Sequence, residues 1–216
     1  MAELILFQGD SITDCGRNKE NDNCAGKGYA NMIKGQLGFE EPGKYEFLNK
    51  GISGNRIVDV YARIKKDIIN LKPDYLSILI GVNDVWHELG GKRNGVDARK
   101  FERIYDMLIT EVLEELPNIK IILMEPFVLE AEKTTNTEEE PHRWENFKSE
   151  VSLRAAITKK LADKYDVPFV ALQEKFDEAC NLSPASYWLQ DGVHPTVMGH
   201  WLIKNEWIKV FDKTLR

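Results

Sequence analysis

No stretch of this sequence approaches the roughly 18 consecutive apolar residues that a membrane-spanning helix needs. A secretory leader is not expected either. Strand-like sequence starts at Glu3, with no basic region, apolar core or cleavage site before it. Cysteine is scarce: Cys15, Cys24 and Cys180 are three, widely spaced, and none has the spacing of a metal knuckle. An odd number of scattered cysteines points to free thiols in a reducing compartment, so the expected location is the cytoplasm. Basic clusters are missing too. Lys and Arg total 29 against 35 Asp and Glu, for a net charge of −6. Nucleic acid and anionic membrane are therefore not expected partners, and neutral substrates suit the chain better than polyanions.

What remains is an ordinary globular composition, 43% hydrophobic and 30% charged over 216 residues. That length fits one domain spanning 1–216. No internal repeat or low-complexity tract interrupts it. Short apolar runs at 3–8, 45–49, 74–81, 119–124 and 167–171 have the length and the Ile, Leu, Val, Phe and Tyr content of buried parallel strands. Helical periodicity lies between them. In 57–71, Ile57, Val60, Tyr61, Ile64, Ile68 and Leu71 share one face, and Pro73 ends the segment. In 98–116 the same holds for Phe101, Ile104, Tyr105, Leu108, Val112 and Leu116, with Pro117 beyond. Two more long helices are expected over 142–165 and 196–214, and a shorter one over 26–38.

Strand and helix alternating five times specify an α/β domain on a parallel sheet. Two segments stand outside the pattern. Residues 82–97 read as a Gly-rich connection. Residues 125–141 read as a long acidic one, of the length that lids and binding loops have. The 130–140 part is taken as a solvated insertion.

Open parallel sheets bind ligands at the carboxyl ends of their strands. Gly9-Asp10-Ser11 follows the first strand and Asn49 to Asn55 the second. Gly81-Val82-Asn83-Asp84 follows the third, Glu125-Pro126-Phe127 the fourth, and Asp191 to Pro195 comes after the fifth and its short helix. Ser11, Gly54, Asn83, Asp191 and His194 are thus brought to one edge. These are the residue types of acyl transfer. A serine hydroxyl needs an adjacent base, and histidine serves near neutral pH. An orienting carboxylate fixes the imidazole tautomer, and pre-aimed N–H donors receive the oxyanion. A base that must be neutral places the loss of activity at roughly pH 6–7. Each residue also has a plainer reading. Asp10 or Ser11 could cap a helix, Gly51 and Gly54 could serve a turn, and Asn83-Asp84 could be a turn pair. Asp191 could cap the last helix and His194 could be structural. His200, within the last helix, is read as packing or surface.

The blocks GDSIT (9–13), NKGISGN (49–55), GVND (81–84) and DGVHP (191–195) resemble, in order, the four motifs of the SGNH hydrolases, also called GDSL esterases and lipases. The resemblance implies Ser11 as nucleophile, His194 as base and Asp191 as its orienting acid. It implies an oxyanion hole of Ser11, Gly54 and Asn83. It further implies a flavodoxin-like three-layer α/β/α sandwich with strand order 2-1-3-4-5, and no metal or organic cofactor. Within that family, GDSITDCGR, GKGY (26–29), IGVNDVW (80–86), ILMEPF (122–127) and GVHPTVMGH (192–200) resemble bacterial intracellular acetylxylan esterases. These remove acetyl groups from imported xylo-oligosaccharides. Trp86, Tyr187 and Trp188 are then expected at the rim of the site, against a sugar face, with wall or core packing as the plainer role. A homo-oligomer is expected by default.

Three alternatives stand beside this reading. The first is a GDSL lipase, lysophospholipase or arylesterase. The second is a metal-dependent phosphoesterase using Asp10, Asp14, Asp84, Asp191, His194 and His200. The third is a non-catalytic carbohydrate-binding domain.

Overall fold

The computed structural model describes residues 2–21, 24–91 and 93–216. Five strands form one parallel sheet: β1 (Glu3–Gly9), β2 (Tyr45–Asn49), β3 (Tyr75–Leu79), β4 (Lys120–Met124) and β5 (Phe169–Val170). Their order is β2-β1-β3-β4-β5. Side chains alternate across β1 as a strand requires. Ile5 and Phe7 join one apolar layer and Leu6 the other. Helices α2 (Tyr29–Glu40), α8 (Gln173–Ala179) and α10 (Val197–Thr214) cover the first face, through Ile33, Phe176, Trp207 and Phe211. Helices α3 (Ile57–Ala62), α4 (Ile64–Asp67) and α6 (Ala98–Glu115) cover the second, with Ile57, Ile64, Phe101 and Leu108 inward. The long α7 (Arg143–Tyr165) contributes Phe147 and Val151 to the first layer and Ile157 and Leu161 to the second. This is a three-layer sandwich. Among the described residues no helix is long and apolar enough to cross a membrane.

The register aligns the strand ends. Gly9 pairs with Leu79, Leu79 with Met124, and Met124 with Val170. Whatever follows each of these residues leaves the sheet at one edge. Gly9 is obligatory there: a Cβ on it would lie 2.3 Å from the Leu79 carbonyl oxygen and 2.4 Å from Thr13 Oγ1. The chain turns directly into the one-turn α1 (Ser11–Asp14), capped by Asp10 Oδ1, which accepts the Ile12 N–H at 2.9 Å.

Several expectations are corrected. The segment 57–71 is not one helix. It breaks at Arg63 and again at Ile68, giving α3, α4 and a 3-10 turn at Ile69–Leu71. At the first break Arg63 reaches back to the Asn55 side chain and the Lys50 carbonyl. The apolar stripe survives, with Ile57, Val60, Ile64 and Ile68 buried. The 82–97 connection holds α5 (Val82–Leu89). Val82, Val85, Trp86 and Leu89 were spaced to signal it, but the glycines and charges around them masked the period. The helix expected over 26–38 starts only at Tyr29, because Gly28 is extended and lies against His200. β5 is two residues rather than five, since Leu172 already begins the turn into α8.

The 130–140 stretch is largely exposed, as a solvated segment should be, but it is anchored. Residues 126–129 are buried, Thr134 has no exposed surface, and Thr134 Oγ1 donates to the Leu129 carbonyl at 2.6 Å.

Candidate active site

Ser11 stands at the first position of α1, half-buried, with its Oγ 2.9 Å from His194 Nε2. His194 comes from the loop between α9 (Ala185–Trp188) and α10. Its Nδ1 lies 2.8 Å from Asp191 Oδ2, while Asp191 Oδ1 accepts the backbone N–H of Val193 at 3.1 Å and of His194 at 2.8 Å. Burial alone would raise the Asp191 carboxyl. The bonds from the His194 ring and backbone reverse this and hold it well below the usual carboxylate range. An ionised carboxylate only accepts, so Nδ1 carries the ring proton and Nε2 is left to accept the Ser11 Oγ–H. The Asp191 bond also raises His194 above its ordinary value of 6.5, against the opposing effect of burial. The acid loss of activity expected at pH 6–7 therefore shifts upward.

The second and third strand-end loops are fixed against this corner. Asn49 donates through Nδ2 to the carbonyls of Thr13, at 2.6 Å, and Ala25, at 2.8 Å, and accepts the Gly51 N–H. Gly51 passes so close to α1 that a Cβ would lie 2.5 Å from the Asp14 nitrogen. Asp14 Oδ2 accepts the Ser53 N–H at 3.1 Å. Gly54 follows at φ +82°, a conformation that glycine takes without strain. Asn83, buried in the first turn of α5, donates through Nδ2 to the Asn55 carbonyl at 3.2 Å and keeps a second N–H. Both oxygens of its neighbour Asp84 accept the Ile57 N–H that begins α3. Among the described residues neither the Ser11 nor the Gly54 N–H meets an acceptor. The structure thus ties α1, the Gly54 loop and α5 into one set of backbone and side-chain bonds.

Asp10 sits below the serine, wholly buried. Burial pushes its carboxyl up to about 7, and its Oδ2 has no partner. His200 is buried, and that burial lowers it to about 4. Its Nδ1 accepts the Tyr29 N–H at 3.2 Å, and its Nε2 lies 3.2 Å from Cys15 Sγ. It is a packing residue that closes α2 and α10 against α1. Asp14 is occupied with Ser53 and Asp84 with Ile57. Among the described residues no group of three or more His, Cys, Asp or Glu side chains is arranged to hold a metal ion.

The three aromatic candidates make contacts of different kinds. Trp86 is half-buried, with its ring 5.2 Å from Phe147 and the Arg143 guanidinium 5.7 Å from its centre. Tyr187 is exposed and meets Trp188 edge-on at 5.0 Å. Trp188 donates its indole N–H to the Ser183 carbonyl and lines a groove of about 670 Å³ with Met198 and Trp201. The sequence reading missed Lys133, whose Nζ lies 3.2 Å from Asp191 Oδ2. No local signal marks a lysine whose partner is 58 residues away.

Residues 7–202 match the GDSL-like lipase/acylhydrolase family. An acetylxylan esterase of Geobacillus stearothermophilus is 36% identical over 96% of this chain and 93% of its own. The crystal structure of an acetylxylan esterase from the same organism superimposes with a TM-score of 0.82 at 32% identity, covering 96% of this chain and 93% of that one. Catalytic mutants of that enzyme at a serine, a histidine and an aspartate have also been solved. A candidate GDSL-like lipase from Parabacteroides merdae superimposes with a TM-score of 0.89 at 36% identity, covering 97% of this chain and 95% of that one.

Proposed function

Because this chain belongs to the GDSL-like lipase/acylhydrolase family, a family of carboxylic ester hydrolases, we propose that it deacetylates xylo-oligosaccharides through a Ser11–His194–Asp191 triad. The observation that carries the reading is the pair of linked contacts, Ser11 Oγ to His194 Nε2 at 2.9 Å and His194 Nδ1 to Asp191 Oδ2 at 2.8 Å. The triad also draws support from the residue types altered in catalytic mutants of the Geobacillus enzyme.

In this reading His194 Nε2 takes the Ser11 proton as Oγ attacks the acetyl carbonyl carbon. The carbonyl oxygen becomes an oxyanion facing the N–H groups of Ser11 and Gly54 and the spare N–H of Asn83. His194 then returns the proton to the departing sugar hydroxyl, leaving acetyl-Ser11. Water, deprotonated by the same imidazole, releases acetate and restores the serine.

Asn83→Ala removes one of three donors that strengthen as charge develops. Turnover is expected to fall about 10²–10³-fold, with a smaller change in KM. Steady-state kinetics on a soluble acetate ester separate the two. A change mainly in KM would make Asn83 a ground-state binding residue.

The sugar assignment leans on the acetylxylan esterase relative and on the polar character of the loops around Gly54 and after α5. Its test is a ranking of kcat/KM with one enzyme preparation. Acetylated xylo-oligosaccharides are expected first, simple activated acetates next, and then a steep decline from butyryl to octanoyl esters. Octanoyl or lysophospholipid esters in first place would instead identify a lipase-type member of the family, with the triad unaffected.

A further inference from the structure

The segment 125–141 leaves β4 and runs across the loop that carries Asp191 and His194. Glu125 anchors its start by accepting the Leu172 and Gln173 N–H groups that open α8. Phe127, Val128 and Leu129 are buried. From there two backbone bonds join the segment to the loop. The Leu129 N–H donates to the Gly192 carbonyl at 2.9 Å, and the Lys133 N–H donates to the Asp191 carbonyl at 3.1 Å. Buried Thr134 folds the turn by bonding the Leu129 carbonyl and the Ala131 N–H. The fit leaves no room at Gly192, where a Cβ would lie 2.3 Å from Thr134 Oγ1 and 2.6 Å from the Leu129 oxygen. Arg143 at the head of α7 holds the far side, donating from Nε to the Lys133 carbonyl at 2.8 Å.

This strap delivers one charged group to the site. Lys133 Nζ donates to Asp191 Oδ2 at 3.2 Å, the same oxygen that accepts the His194 ring N–H at 2.8 Å. The carboxylate is 8% exposed and the lysine 53%, so the ammonium reaches in from solvent over a buried acceptor.

The charges around His194 come from four elements. Asp191 lies on its own loop and Asp10 at the end of β1. His200 lies on α10, uncharged through burial, and Lys133 on the strap. Asp191 and Asp10 favour the imidazolium, and Lys133 alone among the four opposes it. Without Lys133, the charged groups left beside the imidazole would be the two carboxyls, which favour its protonated form.

We propose that Lys133 is a positioning residue of the ester hydrolysis: by sharing Asp191 Oδ2 with the His194 ring N–H, its ammonium fixes the carboxylate and keeps His194 a neutral base to lower pH than the two carboxylates alone would allow. The inference rests on the Ser11–His194–Asp191 reading. It assigns the acidic segment a task in catalysis, which its surface composition conceals.

The experiment is the pH profile of kcat/KM on a soluble, uncharged acetate ester at fixed low ionic strength. It compares the full-length protein with Lys133→Met, Lys133→Arg and Lys133→Glu. Removing the cation is expected to move the acid limb upward by on the order of half a pH unit. Lys133→Glu moves it further, and Lys133→Arg leaves it near the parent position. Lys133→Arg keeps the high-pH plateau as well, whereas the methionine and glutamate variants lose part of it together with the contact that fixes Asp191. Raising the salt draws the parent limb toward that of the methionine variant, because a half-exposed charge is screened. A methionine variant with an unmoved limb overturns the proposal, whether its plateau is lowered or not, because a mere strap would lose activity equally at every pH. An arginine variant shifted like methionine overturns it as well. His194→Ala in the same assay separates the two readings. If that variant retains activity, the triad itself fails. If it is inactive while Lys133→Met shows no shift, only the role of Lys133 fails.

Discussion

Replacing Ser11 with alanine is expected to lower acetyl-ester turnover by about 10⁴- to 10⁶-fold while leaving the fold intact. The loss is large because the hydroxyl is the only atom of Ser11 that the proposed chemistry consumes, and no neighbour can replace it. The nearest candidate in sequence space, Ser53, is exposed, and its Oγ points to Asp14 Oδ2 at 3.3 Å. The fold should not notice the change. Asp10 caps α1, and among the described residues the hydrogen-bond partner of Ser11 Oγ is His194 alone. Circular dichroism and the melting temperature are therefore expected to match the parent protein. A serine-directed organophosphonate should add one adduct to the parent protein, at Ser11 by peptide mapping, and none to the alanine variant. An adduct on Ser53, or an alanine variant with near-parent turnover, would falsify the assignment of the nucleophile.

Asp191→Asn is expected to lower kcat by roughly 10³- to 10⁴-fold, with KM changed far less. The bonds around the side chain explain why so small a change in shape matters. Oδ1 accepts two backbone N–H groups, from Val193 and His194. An asparagine has to keep its oxygen there, because its NH₂ would face two donors. The NH₂ group is then directed at the two partners of Oδ2, the His194 ring and the Lys133 ammonium. Against the ring it donates, so Nδ1 must accept and the proton moves to Nε2. His194 in that tautomer cannot take the serine proton. Against Lys133 it sets donor beside donor, and the strap loses its charged contact as well. The check is kcat and KM on a short acetate ester, with an imidazole NMR spectrum to report which nitrogen carries the proton. An asparagine variant whose proton remains on Nδ1, yet whose kcat has collapsed, would assign Asp191 an electrostatic role instead.

The strand ends and the residues that follow them were legible because both signals are local. A buried parallel strand is a short apolar run, and Gly9, Gly54 and Gly81 mark where the chain must turn sharply at its end. Ser11, Asn83, Asp191 and His194 could be placed on one edge before any contact was known. The helix over Val82–Leu89 was missed for a different reason. Its four apolar residues are correctly spaced, but three of the eight are charged or imidazole side chains and two glycines follow, so composition outweighed period. The 130–140 segment could not be read at all from its neighbours. Its acidic residues do face solvent, and what makes it part of the site is Thr134 against Gly192 and Lys133 against Asp191, contacts that only the folded chain creates. The aromatic rings were given a role by their closeness in sequence to site residues, and the contacts they make, Trp86 with Phe147 and Trp188 with Met198 and Trp201 along one groove, could not be read from that closeness.

The serine and its base are 183 residues apart along the chain. β1 is an inner strand and cannot be completed until β2 and β3, which follow it in the chain, flank it. His194 arrives last, on a loop held by the 125–141 segment and by the docking of α10. A nascent or partly refolded chain therefore carries an unarmed hydroxyl for most of its assembly. During refolding, secondary structure should return before any hydrolysis does, because contacts of this separation close late. Recovered esterase activity would then time the final docking event alone, and a chain stopped short of its last helix would be inert however much of its sheet had formed.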